Sequence, residues 1–393
     1  MRPVDNAVSW KAPDDWAISP TESRLPVSAS SQFFDMGATN QYPMDSLDIA
    51  QVQRETEGML RTPMRNVLRK LNDHSEDVVT ARNIQDPEAS NSMGKCKENS
   101  LRMHREREME KKRWMLIALY NMDTIWAPEG KPLKPDIMPS FQRVLALFET
   151  QGTASYLAAT NISVPVYHLS PQPLNHRDYP NIHPVISPSL STSMLALESD
   201  SFSSVSCLKM TSILPSAEIP QLLQNIHRIL TPRGYLNMVI IDPWPVAKSM
   251  GPLLQRWIDE NVILNLELSF RTSHPSRNFP VWLEKARLRG QGSIITNTRF
   301  TAVSGGAENS NGIVASATTS AVTSQMDSDE ADGAIKKQLR TTVGRLLWKE
   351  IWGCHVLSGK RWWWEVPEIV KECADRKTWW EYSIIAACKA PDN

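Results

Sequence analysis

The stretch from Ser201 to Pro243 limits the fold more than any other part of the chain. It reads as a strand (Phe202 to Leu208), a helix (Ala217 to Leu230), a tight turn (Thr231-Pro232-Arg233-Gly234) and a long apolar strand (Tyr235 to Ile241) that ends on Asp242. Strand, helix, turn and strand in that order make a crossover unit of a parallel sheet, because parallel neighbours need roughly a dozen residues between them. Ile219, Leu222, Leu223, Ile226, Ile229 and Leu230 recur at helical steps and form one apolar stripe, with Gln221, Gln224, Asn225 and Arg228 on the other side. Pro232 stops the helix, and Gly234 is expected to supply the backbone freedom for the reversal. The strand from Tyr235 to Ile241 is too uniformly apolar to be half exposed, so it belongs in a sheet covered on both faces. The acid at its end then sits at the carboxyl edge, where open α/β sheets bind ligands.

Composition narrows the class. The chain has 393 residues, with 43 Lys and Arg against 43 Asp and Glu, so no global charge draws it to nucleic acid. Its 5 cysteines, Cys96, Cys207, Cys354, Cys373 and Cys388, are scattered without the close pairs of a zinc site or disulfide framework. A reducing compartment fits that usage. No cationic segment followed by an apolar run opens the sequence, and no apolar stretch approaches the roughly 20 residues of a membrane span. The expectation is a soluble cytoplasmic or nuclear protein without metal, membrane or nucleic-acid partner.

Read in order, residues 1–45 mix Pro, Ser, Asp and Asn around isolated tryptophans and read as a disordered leader. Residues 46–139 read as a helical extension: apolar periodicity from Ser46 to Leu71, broken by Pro63, and then a charged helix from Asn99 that turns apolar at Trp114. In that charged helix Glu106, Glu108 and Glu110 interleave with Arg105, Arg107, Lys111 and Lys112, the pattern of a solvated face laced with ion pairs. The extension is also a candidate surface for a protein partner. Residues 140–303 form the α/β core, with strands at Arg143 to Glu149, Val164 to Leu169 and Ile182 to Ile186 preceding the central unit. A turn at Thr150 to Thr153 opens a helix at Ala154. Helices from Met250 to Phe270 and Phe279 to Leu288, and a strand from Gly292 to Val303, follow the central unit. Residues 304–333 are small and polar and read as a flexible insertion. Residues 334–393 supply C-terminal helices, from Leu339 and from Pro367, and a last strand from Tyr382 to Cys388.

These residues resemble a known family. His227-Arg228-Ile229-Leu230-Thr231-Pro232-Arg233-Gly234 is similar to the helix ending Arg-x-Leu-x-Pro-Gly-Gly that precedes the fifth strand in class I S-adenosylmethionine-dependent methyltransferases of the type 11 kind. Ser201-Phe202-Ser203-Ser204-Val205 resembles their fourth strand, and the chain is similar to methyltransferase-like proteins of fungi. The resemblance implies a Rossmann-like seven-stranded sheet with a reversed last strand and helices on both faces. It also implies S-adenosylmethionine lying across the carboxyl ends of the first strands. Carried over by position, it places cofactor contacts at Glu149, Gly152, Thr153 and Ser155 after the first strand, His168 on the second, Ser189 after the third and Cys207 after the fourth. Gln151 and Ala154 stand where glycine is usual, and His168, Ser189 and Ser203 stand where the family has acids.

Two functions remain open on the sequence. One is a methyltransferase acting on a small molecule or protein, in which the enzyme orients an acceptor in line with the methyl group; His274 and Asp242 are its candidate bases. The other is a non-catalytic interaction or regulatory module on the same fold. Trp362-Trp363-Trp364 and Trp379-Trp380 either wall a pocket for a flat, aromatic acceptor or pack helices on the sheet.

Overall fold

The computed structural model describes residues 49–72, 93–122, 142–188, 197–304 and 326–391. Seven strands, β1 (Val144–Leu147), β2 (Val166–Ser170), β3 (Ile182–Ile186), β4 (Phe202–Ser206), β5 (Leu230–Ile241), β6 (Ile294–Thr301) and β7 (Trp379–Cys388), form one sheet in the order β3-β2-β1-β4-β5-β7-β6. The first five strands run parallel, and β7 is antiparallel to both β5 and β6. This is the seven-stranded α/β sheet with a reversed last strand expected from the sequence. Every residue of β1 is buried, as a strand flanked on both edges and covered on both faces must be.

The central unit holds with one correction. Helix α6 (Ile219–Ile229) lays its apolar stripe on β4 and β5. The predicted turn lies inside the β4–β5 ladder: Phe202 pairs with Leu230 and Ser204 with Tyr235, so Thr231–Gly234 bulge opposite Ser203 alone. Arg233, not Gly234, takes the left-handed conformation, at φ 62°. Gly234 is needed for room instead, since a Cβ there would stand 2.9 Å from Thr231 O and 3.2 Å from Ser203 O.

The remaining helices, in chain order, are α1 (Ile49–Leu60), α2 (Met64–Asn72), α3 (Met93–Asn121), α4 (Gln151–Thr160), α5 (Met210–Ile213), α7 (Pro252–Ile258), α8 (Leu264–Leu268), α9 (Pro275–Lys285), α10 (Met326–Trp352) and α11 (Pro367–Asp375). A π-helical turn at Asp259–Ile263 joins α7 to α8, so the predicted helix is one body with a wider turn in its middle. Helix α9 starts four residues earlier than the sequence suggests, with Pro275 in its first turn. Asp242 accepts there from the backbone N–H (2.9 Å) and hydroxyl (2.5 Å) of Ser276. Helix α10 starts at Met326, so the end of the segment read as a flexible insertion is helical, and the rest of it lies outside the described residues. The leader at 1–45 also lies outside them.

Helix α3 is part of the core rather than an appendage. Trp114 to Leu119 are all buried and share one cluster with Leu71 of α2, Val239 and Ile241 of β5, and Trp348 and Trp352 of α10. Trp348, Trp352, Trp363 and Trp380 are fully buried in that cluster. The indole N–H groups of Trp348 and Trp380 both donate to Pro243 O, at 3.1 and 3.2 Å, which binds the exit of β5 to α10 and β7. Packing is therefore the role of Trp363 and Trp380. No helix among the described residues is long and apolar enough to cross a membrane.

Candidate functional site

The carboxyl end of β1 carries the first unusual geometry. Phe148 has φ 51°, left-handed for a bulky side chain, and this sharp step turns Glu149 under the sheet edge. Thr150 then caps α4, its hydroxyl accepting from the Thr153 N–H at 3.4 Å. Gly152 and Thr153, read from the sequence as part of a turn, thus sit in the first turn of the helix, and Ser155 lies in the helix as expected.

Glu149 is buried. Its Oε1 accepts from the Ser206 hydroxyl and from the Leu208 N–H, each at 2.8 Å, while Oε2 has no partner. Burial pushes its pKa up to about 7, against the two donors, which pull it down. Among the described residues expected to contact the cofactor, Glu149 keeps a buried side-chain oxygen without a hydrogen-bond partner.

The other expected contacts turn inward. His168 is fully buried, its Nδ1 accepting from the Leu174 N–H at 3.0 Å, which places the ring hydrogen on Nε2, 2.9 Å from Glu149 O. With both nitrogens occupied and its pKa lowered by burial, His168 has nothing left to offer a ribose hydroxyl. The residue at the rim is Ser170, the last of β2, whose hydroxyl accepts from the Gln172 N–H at 3.2 Å and keeps its own proton to donate. Ser155 donates to Gly152 O (2.8 Å) and accepts from Arg113 (3.2 Å) beneath the surface. The Thr153 hydroxyl lies 3.1 Å from that of Thr150. Cys207 is fully buried, and burial pushes its thiol well above the usual range. Ser189 lies outside the described residues.

A hollow of about 540 Å³ opens over this edge, floored by Phe148–Gly152 and Ser170–Gln172 and walled by Arg105, Met109 and Lys112 of α3. The freedom of approach at Gly152 is used by the protein itself: a Cβ there would lie 2.8 Å from Lys112 Cβ and 2.9 Å from its Cγ. The Lys112 ammonium pairs with Glu350 of α10, and Lys209, just past β4, meets the same carboxylate at 3.1 Å. Burial raises the pKa of Glu350, but the flanking ammonium groups outweigh it and hold it below the usual value.

Beyond this ion triad lies a second cavity of about 680 Å³, bordered by α3, α10 and the tryptophan-rich segment. Glu108, Lys112 and Glu350 line both spaces, so the Lys112–Glu350 pair and Glu108 form their shared wall, while Lys209 faces the larger one. Neither Asp242 nor His274 lines either of them.

Lys112 and Glu350 were not singled out by the sequence, though a signal for each was present. Lys112 falls three residues after Met109 and four before Leu116, on a buried stripe, and Glu350 falls three after Leu347. A charge on the apolar side of a helix needs a partner. Among the described residues no group of His, Cys, Asp and Glu is arranged to hold a metal ion.

No protein-family model and no curated protein matches the chain. Solved structures are similar to it. One is the phosphoethanolamine N-methyltransferase 2 of Haemonchus contortus in complex with phosphomonomethylethanolamine and S-adenosylhomocysteine, at 12% identity, covering 65% of this chain and 50% of that one, TM-score 0.33. A second is a SAM-dependent methyltransferase from Archaeoglobus fulgidus, at 14% identity over 63% of this chain and 86% of that one, TM-score 0.31. A third is the YcgJ protein from Bacillus subtilis, at 13% identity over 64% and 93%, TM-score 0.32. The fold assignment itself rests on the strand order and on the reversal of β7.

Proposed function

We propose that the protein is an S-adenosylmethionine-dependent methyltransferase whose cofactor occupies the hollow above Glu149. The observation that carries this reading is the buried Oε2 of Glu149 at the carboxyl edge of the sheet, an acceptor that no hydrogen-bond donor among the described residues meets. The residues present fit such a ligand at three points. Glu149 receives the ammonium of the methionine portion, the first-turn amides of α4 face its carboxylate, and the Ser170 hydroxyl is free to donate to a ribose oxygen. His168, Ser155 and Cys207 shape the floor from below. When bound, the cofactor supplies an activated methyl group. The chain then has to hold the acceptor in line and exclude water, and α3 and α10, closing over the edge through Lys112 and Glu350, provide that cover.

A non-catalytic module on the same fold is favoured by one observation, that Lys112 fills the space over Gly152. Calorimetric titration with S-adenosylmethionine and S-adenosylhomocysteine separates the two. Heat of binding is expected for both ligands. Because Glu149 holds its proton up to a pH of about 7, affinity should fall about tenfold from pH 8 to pH 6. Glu149→Gln should weaken binding and remove that dependence. Absence of heat with millimolar ligand at pH 8 would leave the module reading standing alone.

A further inference from the structure

We propose that the 680 Å³ cavity beyond the ion triad binds a small aromatic carboxylic acid. The proposal rests on the methyltransferase reading only in that it makes this acid the methyl acceptor; the binding itself does not depend on it.

The cavity is lined by cations in excess. Lys111, Lys112, Lys209, Arg345 and Lys349 face Glu108, Glu350 and Glu365. Two of these acids are already engaged: Glu350 lies between Lys112 and Lys209, and Glu365 accepts from the Trp362 N–H at 3.1 Å. Glu108 is exposed. Arg345 is tied through its guanidinium to Ala302 O, and burial lowers its pKa to about 10, which leaves it charged at neutral pH. Among the described residues Lys349 has no carboxylate against it; its ammonium lies 5.0 Å from the centre of the Trp362 ring. Lys111 likewise has no ion-pair partner among the described residues. With Glu350 held between Lys112 and Lys209, the remaining cations Lys111, Arg345 and Lys349 outnumber Glu108 and Glu365 in a concave space and set up a positive potential that selects an anion.

The rest of the lining sets the body of that anion. Trp362 and Trp364 stack in parallel, ring centres 5.2 Å apart and planes within 3°, and both stay half-buried at the cavity wall while Trp363 behind them is fully buried. Indole edges and faces left in contact with a cavity favour a flat ring over water or an aliphatic chain. The volume suits a small molecule rather than a peptide. The position is also apt, because this space shares Glu108, Lys112 and Glu350 with the hollow above Glu149, and Lys209, just past β4, lines it.

Calorimetry on the full chain without cofactor, with 4-hydroxycinnamate, its neutral amide and hexanoate as probes, tests this. The aromatic acid should bind about tenfold tighter than either comparison compound, the discrimination a charge-assisted contact or a stacked ring supplies. Lys349→Met and, separately, Lys111→Met should each reduce affinity for the acid severalfold and leave the amide unchanged, with near-ultraviolet circular dichroism confirming the native tryptophan packing. Equal binding of acid and amide, no binding of the acid, or unchanged acid affinity in both variants would overturn the proposal. If the acid binds and S-adenosylmethionine does not, the site stands and the word acceptor goes. If S-adenosylmethionine binds and the acid does not, the opposite holds.

Discussion

A carboxyl group buried with one oxygen unpartnered keeps its proton to neutral pH, and Glu149 is such a group. Its folded value of about 7 lies above the ordinary 4.5, so the native state binds the proton more tightly over that interval. The stability from this difference is fully present below pH 4.5 and is lost as pH rises through about 7. The loss is on the order of 3 kcal/mol. Glu149→Gln should therefore lack this fall, which urea unfolding of both proteins at pH 5 and pH 8 would reveal; parallel pH profiles would contradict it. Gly152→Ala tests a neighbouring point. Its new methyl would press on the stem of Lys112, close to the α3 backbone, and should destabilise by about 2 kcal/mol. An unchanged unfolding midpoint would mean that α3 is not seated on this turn. At this scale the sequence put Glu149 at the end of the first strand, and it lies just past β1. The sequence did not reveal which side chains are sealed in, because His168 and Ser170, two residues apart, share one face of a buried strand and differ only in how close they lie to its end.

Helix α3 shows why elements were easier to find than to place. Its apolar half from Trp114 to Leu119 and the Pro63 break before it were both legible from spacing, whereas its destination, across the β1–α4 turn, depends on tertiary contacts with no local signature. The outer half of its charge run is solvated as the alternation of signs suggests, with Arg105, Arg107 and Glu108 exposed. Lys112 and Arg113 are not: the helix tilts them against Glu350 and Ser155. Because this helix and α2 complete the core, a chain beginning at residue 140 should fail to fold cooperatively, seen as loss of near-ultraviolet tryptophan dichroism; a sharp thermal transition in that fragment would refute it. The tie between α3 and α10 has its own test. Glu350→Gln leaves Lys112 and Lys209 facing each other without a counter-charge and should lower stability by about 3 kcal/mol, less if water enters. Chemical denaturation would measure it.

For the whole molecule, the crossover unit at Ser201 to Pro243 carried the prediction: one strand, helix and strand of unmistakable period fixed a parallel sheet, and the remaining strands arranged themselves around it. What stayed hidden was the closure of the sheet edge by segments distant in sequence, α3 from one side and α10 from the other. That closure converts an open ledge into two adjoining chambers.

The insertion of β7 between β5 and β6 has a further consequence for damaged copies of the chain. From Tyr235 to Ile241 seven residues of β5 pair with β7, and β6 joins the sheet through β7 alone. A product truncated before Trp379 would present that oily ladder unprotected, with its neighbour cut adrift, and should template self-association rather than simply unfold. Light scattering of such a fragment would rise with concentration.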